Sequence, residues 1–353
     1  MSWPAFWKKR NWQSRLLWPL SQLVCWEASR RLKQFEVAKS PQSKKAKQTV
    51  IVVGNVVVGG SGKTPFILWL VERFKRQGIS VGILSRGYGA NNAHWPKLVC
   101  AQTSVMEVGD EPYMLAKQTG CPVAVSPRRA EALALLNERY DCDVVISDDG
   151  LQHYGLARDI EIVLIDAERG FGNGWCLPAG PLREPMQRIA KVDFTVWNGL
   201  DENQAIPELD VEQKNAYAMQ LQPIGFRQVG NPQKRLSIKE FVAQYPEVIA
   251  IAGIGNPQRF FNSLERLGLT VEAKAFADHY AYQKQDFDQL LGSGSKSLKQ
   301  DLSALTVKPL LMTEKDAVKC QTFAQDESHW WYLQIAPHCS DELFNQILNQ
   351  VNA

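Results

Sequence analysis

Short apolar runs alternate with helix-like segments through the first two thirds of the chain. The run VIVV at residues 50–53 is β-branched and apolar, which is typical of a buried parallel strand. Similar runs lie at 80–84, 122–126, 143–147 and 160–167. After the first run, Phe66, Leu70 and Phe74 recur every four residues before Gly78, which predicts a helix. Helices between parallel strands imply right-handed crossovers, so we predict an α/β, doubly wound, mainly parallel sheet.

A second set of alternating segments follows. Residues 249–269, IAIAGIGNPQRFFNSLERLGL, read as strand, glycine loop and helix, and further apolar runs occupy 309–320 and 330–337. We therefore predict three regions: an N-terminal segment at 1–47, a larger domain at 48–225, and a smaller α/β domain at 226–353 that closes over the active site.

The N-terminal segment is basic and rich in tryptophan. Five tryptophans occur in the first 26 residues, and residues 1–48 hold eleven Lys and Arg against two Glu, a net charge of +9. The whole chain carries +3, so the remainder carries −6. We predict a helix that begins near Pro19 and ends near Phe35, with an apolar side formed by Leu20, Leu23, Val24, Ala28, Leu32 and Phe35.

This segment allows three interpretations. An interfacial helix would place tryptophans at the lipid headgroups and cations near anionic lipid. A helix packed on the body of the protein, with solvated lysines, explains the pattern about as well. Nucleic-acid binding is disfavoured because the rest of the chain has no sustained basic face. A polar linker at 38–48 would join the helix to the larger domain.

Composition sets further limits. Hydrophobic residues make up 45% and charged residues 22% of the 353 residues, as in a packed globular protein. Seven scattered cysteines without C-x-x-C spacing predict a reduced cytoplasmic chain that has neither a disulfide nor a zinc site. The longest uncharged N-terminal run, residues 16–26, is too short to span a bilayer, and we expect neither a secretory signal nor a transmembrane helix.

The most informative motif follows the first strand. The sequence VVGGSGKT resembles the phosphate-binding pattern G-x-x-x-x-G-K-[ST], although Val57 stands where the first glycine is expected. Backbone amides of such a loop and the dipole of the following helix bind phosphate. Lys63 would reach the β- and γ-phosphates of ATP, and the Thr64 hydroxyl would hold Mg²⁺. The predicted nucleotide-binding residues are Val57, Val58, Gly59, Gly60, Ser61, Gly62, Lys63 and Thr64.

A second carboxylate signal completes the predicted ATP·Mg²⁺ site. Asp148 and Asp149 follow the strand at 143–147, at the end where ligands collect in open α/β sheets. Either aspartate could contact the metal. A simple turn after the strand is the alternative interpretation.

Three other clusters carry candidate groups. In VGDEP, Asp110 and Glu111 lie in a loop just before a helix, and a helix cap accounts for Asp110 about as well as a functional role does. The long Gly/Pro-rich loop at 171–185 carries Arg183 and Glu184, and Arg183 could bind a phosphate or form a surface salt bridge. Among five histidines, two have the most polar neighbours: His153, and His279 beside Asp278.

These blocks together resemble one family. The chain is similar to the tetraacyldisaccharide 4′-kinases, the lipid A 4′-kinases of Gram-negative bacteria. The matching blocks occur in order between residues 54 and 319: GNVVVGGSGKTP, LSRGYG, VGDEP, SDDGLQH, GPLREP, GIGNPQRFF, DHYAY and MTEKDAVK. The family's phosphate loop also lacks the first glycine, so the resemblance makes Val57 a family trait.

The resemblance implies phosphorylation of the 4′-hydroxyl of a tetraacylated glucosamine disaccharide 1-phosphate, using ATP and Mg²⁺. It implies that Asp110 is the base, that His279 with Asp278 assists it, and that Lys63, Thr64, Asp148 and Asp149 form the nucleotide and metal site. Arg183, Glu184 and His153 are candidate substrate contacts. Members often have a second histidine where this chain has Tyr280, which we expect to alter local packing. The family's membrane-bound N-terminal helix implies peripheral attachment to the cytoplasmic face of the inner membrane.

Two other functions are weighed against this one. A P-loop GTPase switch would need a guanine-reading motif, and TEKD at 313–316 lacks its asparagine. A nucleoside or small-molecule kinase without membrane contact fits the loop but leaves the tryptophan-rich segment unexplained.

Overall fold

The structure is a computed structural model, and it describes residues 3–38, 48–91, 94–278, 280–291, 308–321, 324 and 327–353. The centre of the predicted linker and His279 lie outside these residues. The chain forms two compact units. The first unit comprises Ser2–Gln222 together with Ala336–Ala353, and the second comprises Pro223–Ile335.

The first unit contains the predicted doubly wound sheet. Its strands lie in the order β8, β7, β6, β1, β5, β2, β4, β3, and all neighbours are parallel except the β3–β4 pair. The strands are β1 (Thr49–Gly54), β2 (Val81–Ser85), β3 (Lys97–Leu98), β4 (Val123–Val125), β5 (Val144–Asp148), β6 (Ile160–Asp166), β7 (Phe194–Asn198) and β8 (Ala216–Gln228), which continues into the second unit. Strand β1 lies between β5 and β6, and all of its residues after Thr49 are buried.

Helices cover this sheet, and the C-terminal helix is one of them. The helices of the first unit are α1 (Ala5–Lys8), α2 (Trp12–Ala38), α3 (Lys63–Arg76), α4 (Val105–Val108), α5 (Asp110–Thr119), α6 (Arg129–Arg139), a 3₁₀ helix (Met186–Lys191) and α11 (Asp341–Asn352). Phe344 of α11 packs on Phe74 of α3 with ring centroids 5.4 Å apart, and Arg73 forms an ion pair with Asp341. The structure therefore assigns the last helix to the first unit, whereas the sequence placed all of 226–353 in the smaller domain.

Helix α2 begins earlier than expected. It starts at Trp12, so Pro19 lies inside the helix rather than in its first turn. One face packs on the body of the first unit: Ser14 and Ser21 are fully buried, and the Ser21 hydroxyl donates to the carbonyl oxygen of Cys176 at 2.6 Å. No helix among the described residues is long and apolar enough to cross a membrane.

The expectation of a fully reduced chain is wrong at one pair of cysteines. Cys25 on α2 and Cys176 in the loop at 171–185 form a disulfide, with Cα atoms 6.1 Å apart. Their separation of 151 residues hid this pairing from the sequence, because only tertiary packing of α2 brings the two side chains together.

The second unit is a smaller α/β structure. Strand β10 (Glu247–Ala252) lies between β11 (Thr270–Ala275) and β12 (Leu310–Thr313), and β12 pairs with β13 (Trp330–Cys339), all in parallel. The short β9 (Arg235–Leu236) pairs antiparallel with the end of β8. The helices of the second unit are α7 (Ile238–Gln244), α8 (Pro257–Arg266), α9 (Lys284–Leu291) and α10 (Glu314–Cys320). The rings of Phe226 and Phe241 stack at 3.9 Å in its core.

A carboxyl at the start of α10 makes the stability of this unit depend on pH. Burial raises the pKa of Glu314 from 4.5 to about 7, opposed only in part by Arg227. Below pH 4.5 the side chain is protonated in both states, and above pH 7 it is ionised in both, so stability falls as pH rises between these values. We expect Glu314→Gln to raise the free energy of unfolding by on the order of 2–3 kcal/mol at pH 8 and to change it little at pH 4.

Urea unfolding at the two pH values measures this effect. Glu265→Gln, which changes an exposed glutamate on α8, is the matched control and should alter neither curve. Equal stability of Glu314→Gln and the parent chain at pH 8 would contradict the prediction.

Candidate active site

The predicted phosphate loop has the required structural setting. It connects β1 to α3 at the carboxyl end of the sheet, and Gly62 is the N-cap of α3. Gly59 and Gly60 are exposed, so their backbone is accessible to a ligand. The Asn55 side-chain amide donates to the carbonyl oxygen of Gly59 at 3.0 Å and fixes the start of the loop. The first turn of α3, whose amides have no partner within an α-helix, thus follows directly on an exposed glycine loop.

Val57 has a structural position that explains the missing glycine. It forms an antiparallel β-bridge with Leu182, and its side chain belongs to a buried apolar cluster. The amide of Val58 donates to the carbonyl oxygen of Pro181 at 2.9 Å. The valines thus attach the phosphate loop to the Gly/Pro-rich loop at 171–185, and the amide of Val58 is already used within the protein.

Asn198, which the sequence analysis did not select, supports the loop from the other side. It ends β7, is 2% exposed, and donates from Nδ2 to the carbonyl oxygen of Ser61 at 3.1 Å. Gly62 adopts φ +88°, and a Cβ there would lie 2.5 Å from Asn198 Nδ2. Glycine is therefore required for two reasons, the left-handed backbone and the close approach of this amide. The sequence did contain a signal for Asn198: it directly follows the apolar run FTVW and precedes Gly199, as a polar residue at the end of a strand does.

Lys63, Asp149 and Arg183 form a charged cluster beside the loop. The Lys63 ammonium lies 3.4 Å from one carboxylate oxygen of Asp149, and Arg183 contacts both oxygens at 3.0 and 3.1 Å. Burial alone would raise the pKa of Asp149, but Lys63 and Arg183 outweigh it and hold the pKa well below its usual range. Asp149 is therefore ionised, and Arg183 is an ion-pair partner of this aspartate rather than an isolated surface cation.

Asp148 lies in a different environment from its neighbour. The register of β1 and β5 pairs it with Val53, directly before the phosphate loop. Burial raises its pKa to about 7, the charge of Glu111 adds to the shift, and Lys63 opposes it. Its Oδ1 is buried and has no hydrogen-bond partner among the described residues. A buried oxygen of this kind is normally satisfied by water or a cation.

These groups fit Mg²⁺. The ion prefers hard oxygen ligands and usually binds through one or two carboxylates together with waters and substrate phosphates. Asp148 offers an unsatisfied carboxylate oxygen, Asp149 an ionised carboxylate, and Thr64 a hydroxyl in the first turn of α3. Within the described residues, no group of three or more His, Cys, Asp and Glu could hold a metal by itself.

Asp110 is the first residue of α5, and it is buried. Gly109 is the N-cap, so the capping role considered for Asp110 does not apply in its usual form. Gly109 adopts φ +90°, and a Cβ there would lie 2.5 Å from the Tyr88 carbonyl oxygen. Glycine thus allows the loop after β2 to pack against the start of α5, which joins the LSRGYG and VGDEP blocks.

His153 and Glu184 belong to the chain segments that carry the charged cluster of Lys63, Asp149 and Arg183. His153 follows Asp149 by four residues, and Glu184 directly follows Arg183. Burial, together with the charges of Arg129 and Arg86, lowers the pKa of His153 to about 4, so its ring is neutral at pH 7. Glu184 accepts from Gln152 at 2.9 Å and from the Tyr154 hydroxyl. Glu184 therefore holds the loop that follows Asp149, and the predicted contact of Glu184 and His153 with substrate remains a prediction.

The second unit carries the other candidate group. Asp278 lies after β11 in this unit, and His279 lies outside the described residues. Tyr280 packs on Phe276 with ring centroids 4.8 Å apart and donates to Asp286 at 3.2 Å. Tyr280 is therefore part of an aromatic cluster with Phe276 and Tyr282, and its expected effect on local packing relative to a histidine stays a prediction.

Comparison with known proteins agrees with these observations. The family model for tetraacyldisaccharide-1-P 4′-kinase matches residues 13–352. A tetraacyldisaccharide 4′-kinase from Hydrogenovibrio crunogenus is 49% identical over 99% of this chain and 98% of its own length, and one from Alcanivorax borkumensis is 40% identical over 98% and 97%. A crystal structure of LpxK from Aquifex aeolicus, described as an apo form in complex with ATP, superimposes with a TM-score of 0.75 at 28% identity and covers 96% of this chain and 99% of that one.

The predicted fold class and family resemblance are thus confirmed. With a phosphate loop, two aspartates at the end of β5 and a full-length match, this chain belongs to the tetraacyldisaccharide-1-phosphate 4′-kinase family, which consists of ATP-using kinases of lipid A biosynthesis.

Proposed function

We propose that this chain transfers the γ-phosphoryl group of ATP to the 4′-hydroxyl of a tetraacylated glucosamine disaccharide 1-phosphate at a membrane surface. The observation that carries the proposal is the phosphate loop with Lys63 beside the ionised Asp149 and the unsatisfied Asp148. Family membership supports the acceptor, because the curated relatives are named for this substrate.

The nucleotide binds through backbone and charge. Amides of Gly59, Gly60 and the first turn of α3 donate to phosphate oxygens, and Lys63 neutralises the β- and γ-phosphates. On ATP binding the Lys63 ammonium exchanges its contact with Asp149 for phosphate, while Arg183 keeps Asp149 ionised. Asp148, Asp149 and Thr64 would hold Mg²⁺, which supplies charge neutralisation of the phosphates when bound.

The acceptor side uses Asp110 as the base. The sugar oxygen attacks the γ-phosphorus, a new O–P bond forms, and the bond to the β–γ bridging oxygen breaks with its electron pair leaving on ADP. The hydroxyl proton passes to the carboxylate of Asp110. We propose that His279, assisted by Asp278, orients or relays this proton, as the family resemblance implies.

Helix α2 supports membrane attachment. Its outer face exposes an apolar stripe spaced by three or four residues: Trp12 (73% exposed), Leu16 (72%), Leu20 (54%), Leu23 (63%) and Trp26 (65%). The buried serines lie on the opposite face, so the helix contacts protein on one side and presents apolar surface on the other. The buried face agrees with the interpretation of a helix packed on the protein, and the exposed stripe supports our proposal of an interfacial helix. A lipid-embedded acceptor requires such attachment.

We expect the triple variant Leu16→Ser, Leu20→Ser, Leu23→Ser to lose membrane binding. Partial burial of each leucine contributes about 1 kcal/mol, so the partition coefficient onto anionic vesicles should fall on the order of 100-fold. Vesicle co-sedimentation of the full chain measures it. The control replaces Gln13, Gln22 and Gln34, exposed polar residues of the same helix, by serine. Unchanged sedimentation of the leucine variant would refute attachment through this stripe.

One assay tests the proposed reaction against the alternatives. The chain is incubated with ATP and Mg²⁺, with the disaccharide 1-phosphate lipid or with water as the only acceptor. A kinase forms the bisphosphorylated lipid and little free phosphate. Hydrolysis without lipid phosphorylation would indicate a nucleotide switch, and phosphorylation of a water-soluble nucleoside in place of the lipid would indicate a small-molecule kinase.

A further inference from the structure

Arg169, in the loop that follows β6, lies beside the phosphate loop. A Cβ added at Gly59 would lie 3.1 Å from Arg169 Nη1, and the next contact would be Trp3 Nε1 at 3.7 Å. Gly59 adopts φ +107°, and both Gly59 and Gly60 are exposed. The guanidinium therefore borders the exposed backbone of the loop to which we assign the phosphates of ATP.

The turn at the end of β6 fixes the backbone of Arg169. Asp166 Oδ1 accepts from the amides of Glu168 and Arg169 at 3.1 and 3.0 Å, and the Gly170 amide donates to the Asp166 carbonyl oxygen at 2.8 Å. Strand β6 pairs in parallel with β1, so both strands end at the same edge of the sheet. The turn thus places Arg169 at the edge where the phosphate loop begins.

Trp3 of the N-terminal segment contacts both the arginine and the phosphate loop. Arg169 Cζ lies 5.7 Å from the centroid of the Trp3 ring, a cation–π contact. The Trp3 indole N–H donates to the Val58 carbonyl oxygen at 3.2 Å. The Trp7 indole N–H likewise donates to the Pro178 carbonyl oxygen at 2.9 Å. These two indoles are used within the protein, unlike the exposed tryptophans of α2, and the first of them holds the guanidinium beside the loop.

Arg169 differs from other cations of this region in its electrostatic surroundings. Lys63 and Arg183 both form ion pairs with Asp149. Within the described part of the chain Arg169 forms no ion pair, although its side chain is half-buried. A guanidinium that rests on an aromatic ring keeps its donors for another acceptor, and its planar fork matches the oxygens of a phosphate group.

We propose that Arg169 binds the terminal phosphate of ATP and that Trp3 holds the guanidinium in place. The proposal rests on the proposed function, which places the phosphates in this loop. Amides near the start of α3 bind the inner phosphates, and a cation beside Gly59, which precedes them in the chain, is then available to the outer one. An arginine of the same chain that reaches the transferred group stabilises the charge of the transition state.

Nucleotide binding tests this contact without any turnover. In Arg169→Ala, the Kd of a non-hydrolysable ATP analogue with Mg²⁺ should rise about tenfold, as expected for loss of one charged hydrogen bond. The Kd of ADP should change less than about twofold, because ADP lacks the phosphate that the arginine binds. Calorimetry with the full chain in detergent measures both values.

Kinetics with the lipid acceptor give a second measurement. With saturating ATP, kcat of Arg169→Ala should fall on the order of 10²-fold, because the loss of the arginine affects the transition state more than the bound nucleotide. The KM for the disaccharide 1-phosphate in detergent micelles should change less than about twofold. A change confined to that KM would mean that Arg169 binds a phosphate of the acceptor and would overturn the assignment to ATP.

Arg10→Ala is the matched control. Arg10 lies over the Trp175 ring at 5.1 Å and donates from Nε to the Asn173 carbonyl oxygen at 3.1 Å, so it is also an arginine held by a tryptophan and by the same part of the molecule. It forms no described contact with the phosphate loop. Both Kd values and kcat of Arg10→Ala should equal those of the parent chain, and the circular dichroism of both arginine variants should be unchanged.

Two substitutions of Trp3 test its positioning role. Trp3→Leu removes the ring, and the Kd of the ATP analogue should rise about threefold while that of ADP stays within about twofold. Trp3→Phe keeps a ring face but lacks the N–H, and it should bind the analogue more tightly than Trp3→Leu does. An equal loss of ADP binding in Trp3→Leu would assign Trp3 to the support of the loop and overturn its role toward Arg169.

The outcomes separate this proposal from the proposed function. A parental Kd for the ATP analogue in Arg169→Ala, or an equal rise for ADP, overturns the contact and leaves the kinase reaction standing, since Lys63 is intact. If the parent chain phosphorylates no lipid, the proposed function fails. The comparison of ATP analogue and ADP then still decides whether Arg169 binds the terminal phosphate.

Discussion

Replacing Lys63 by alanine is expected to abolish phosphorylation of the disaccharide lipid. Lys63 begins α3 and is largely buried. Its ammonium forms an ion pair with Asp149 at 3.4 Å. We propose that its ammonium moves from Asp149 to the phosphates when ATP binds, while Arg183 keeps its contact with Asp149. Charge stabilisation of a transferring phosphoryl group contributes roughly 4 kcal/mol or more, so kcat/KM should fall about 10³-fold or further.

Measurement of lipid phosphorylation with purified full-length protein decides the matter. Arg76→Ala removes an exposed cation at the other end of the same helix, where it pairs with Glu72, and should leave the rate unchanged. The circular dichroism of both variants should match that of the parent chain, because neither substitution removes a residue of the apolar core. Substantial activity in Lys63→Ala would mean that the loop does not bind the transferred phosphate.

The phosphate loop was predictable from sequence because its function is encoded locally. A phosphate loop is a contiguous motif, in which a strand is followed by glycines, then by Lys63 and Thr64, and then by a helix. The geometry of the backbone requires this order. The role of Val57 was not predictable in the same way, since its partner Leu182 lies more than one hundred residues away in the chain. The resemblance explained the missing glycine as a family trait, and the structure supplies the physical reason. Val57 forms a β-bridge with Leu182, so this position is extended backbone and not a turn that would need glycine.

Long-range contacts account for the other differences. Asn198 supports the phosphate loop because β7 lies two strands from β1 in the sheet, an order that the chain sequence does not state. The start of α2 was misplaced because Pro19 was taken as a first-turn residue. Asn11 Oδ1 accepts from the Ser14 amide at 3.0 Å and so marks the true start, and the tertiary hydrogen bond of Ser21 helps to stabilise a helix that continues through Pro19. The last helix joined the first unit through Phe344, whose partner on α3 is distant in sequence.

Asp148 and Asp149 show how far the sequence specifies the chemistry. Both were predicted metal ligands on equal terms, yet their environments differ: ion pairs hold Asp149 ionised, and burial brings the pKa of Asp148 to about 7. This difference depends on which neighbours face each carboxylate. We infer that Asp149 keeps its charge without ligand and that Asp148 becomes fully ionised when a cation is bound beside it.

Asp110→Asn is expected to lower kcat by about 10²- to 10⁴-fold, the range usual for loss of a general base. The substitution is nearly isosteric. Asparagine can still accept the hydrogen bond that the Glu111 amide makes to Asp110 Oδ1 at 3.1 Å, and Gly109 remains the N-cap. The start of α5 should therefore be retained, while the carboxylate that accepts the proton is lost. ATP should bind with a Kd within about threefold of the parent value, because the phosphate loop is untouched.

Asp341→Asn is the matched control, since Asp341 is likewise the first residue of a helix, α11. Removing a charge at that position alters only the interaction with the helix dipole and an ion pair at the surface, at most about 1 kcal/mol of stability, and kcat should not change. Pre-steady-state measurement of lipid phosphorylation, with ATP binding followed by calorimetry, separates the two effects. A loss of less than about threefold in kcat for Asp110→Asn would restrict Asp110 to a structural role at the start of α5, because a general base contributes far more than that to the chemical step.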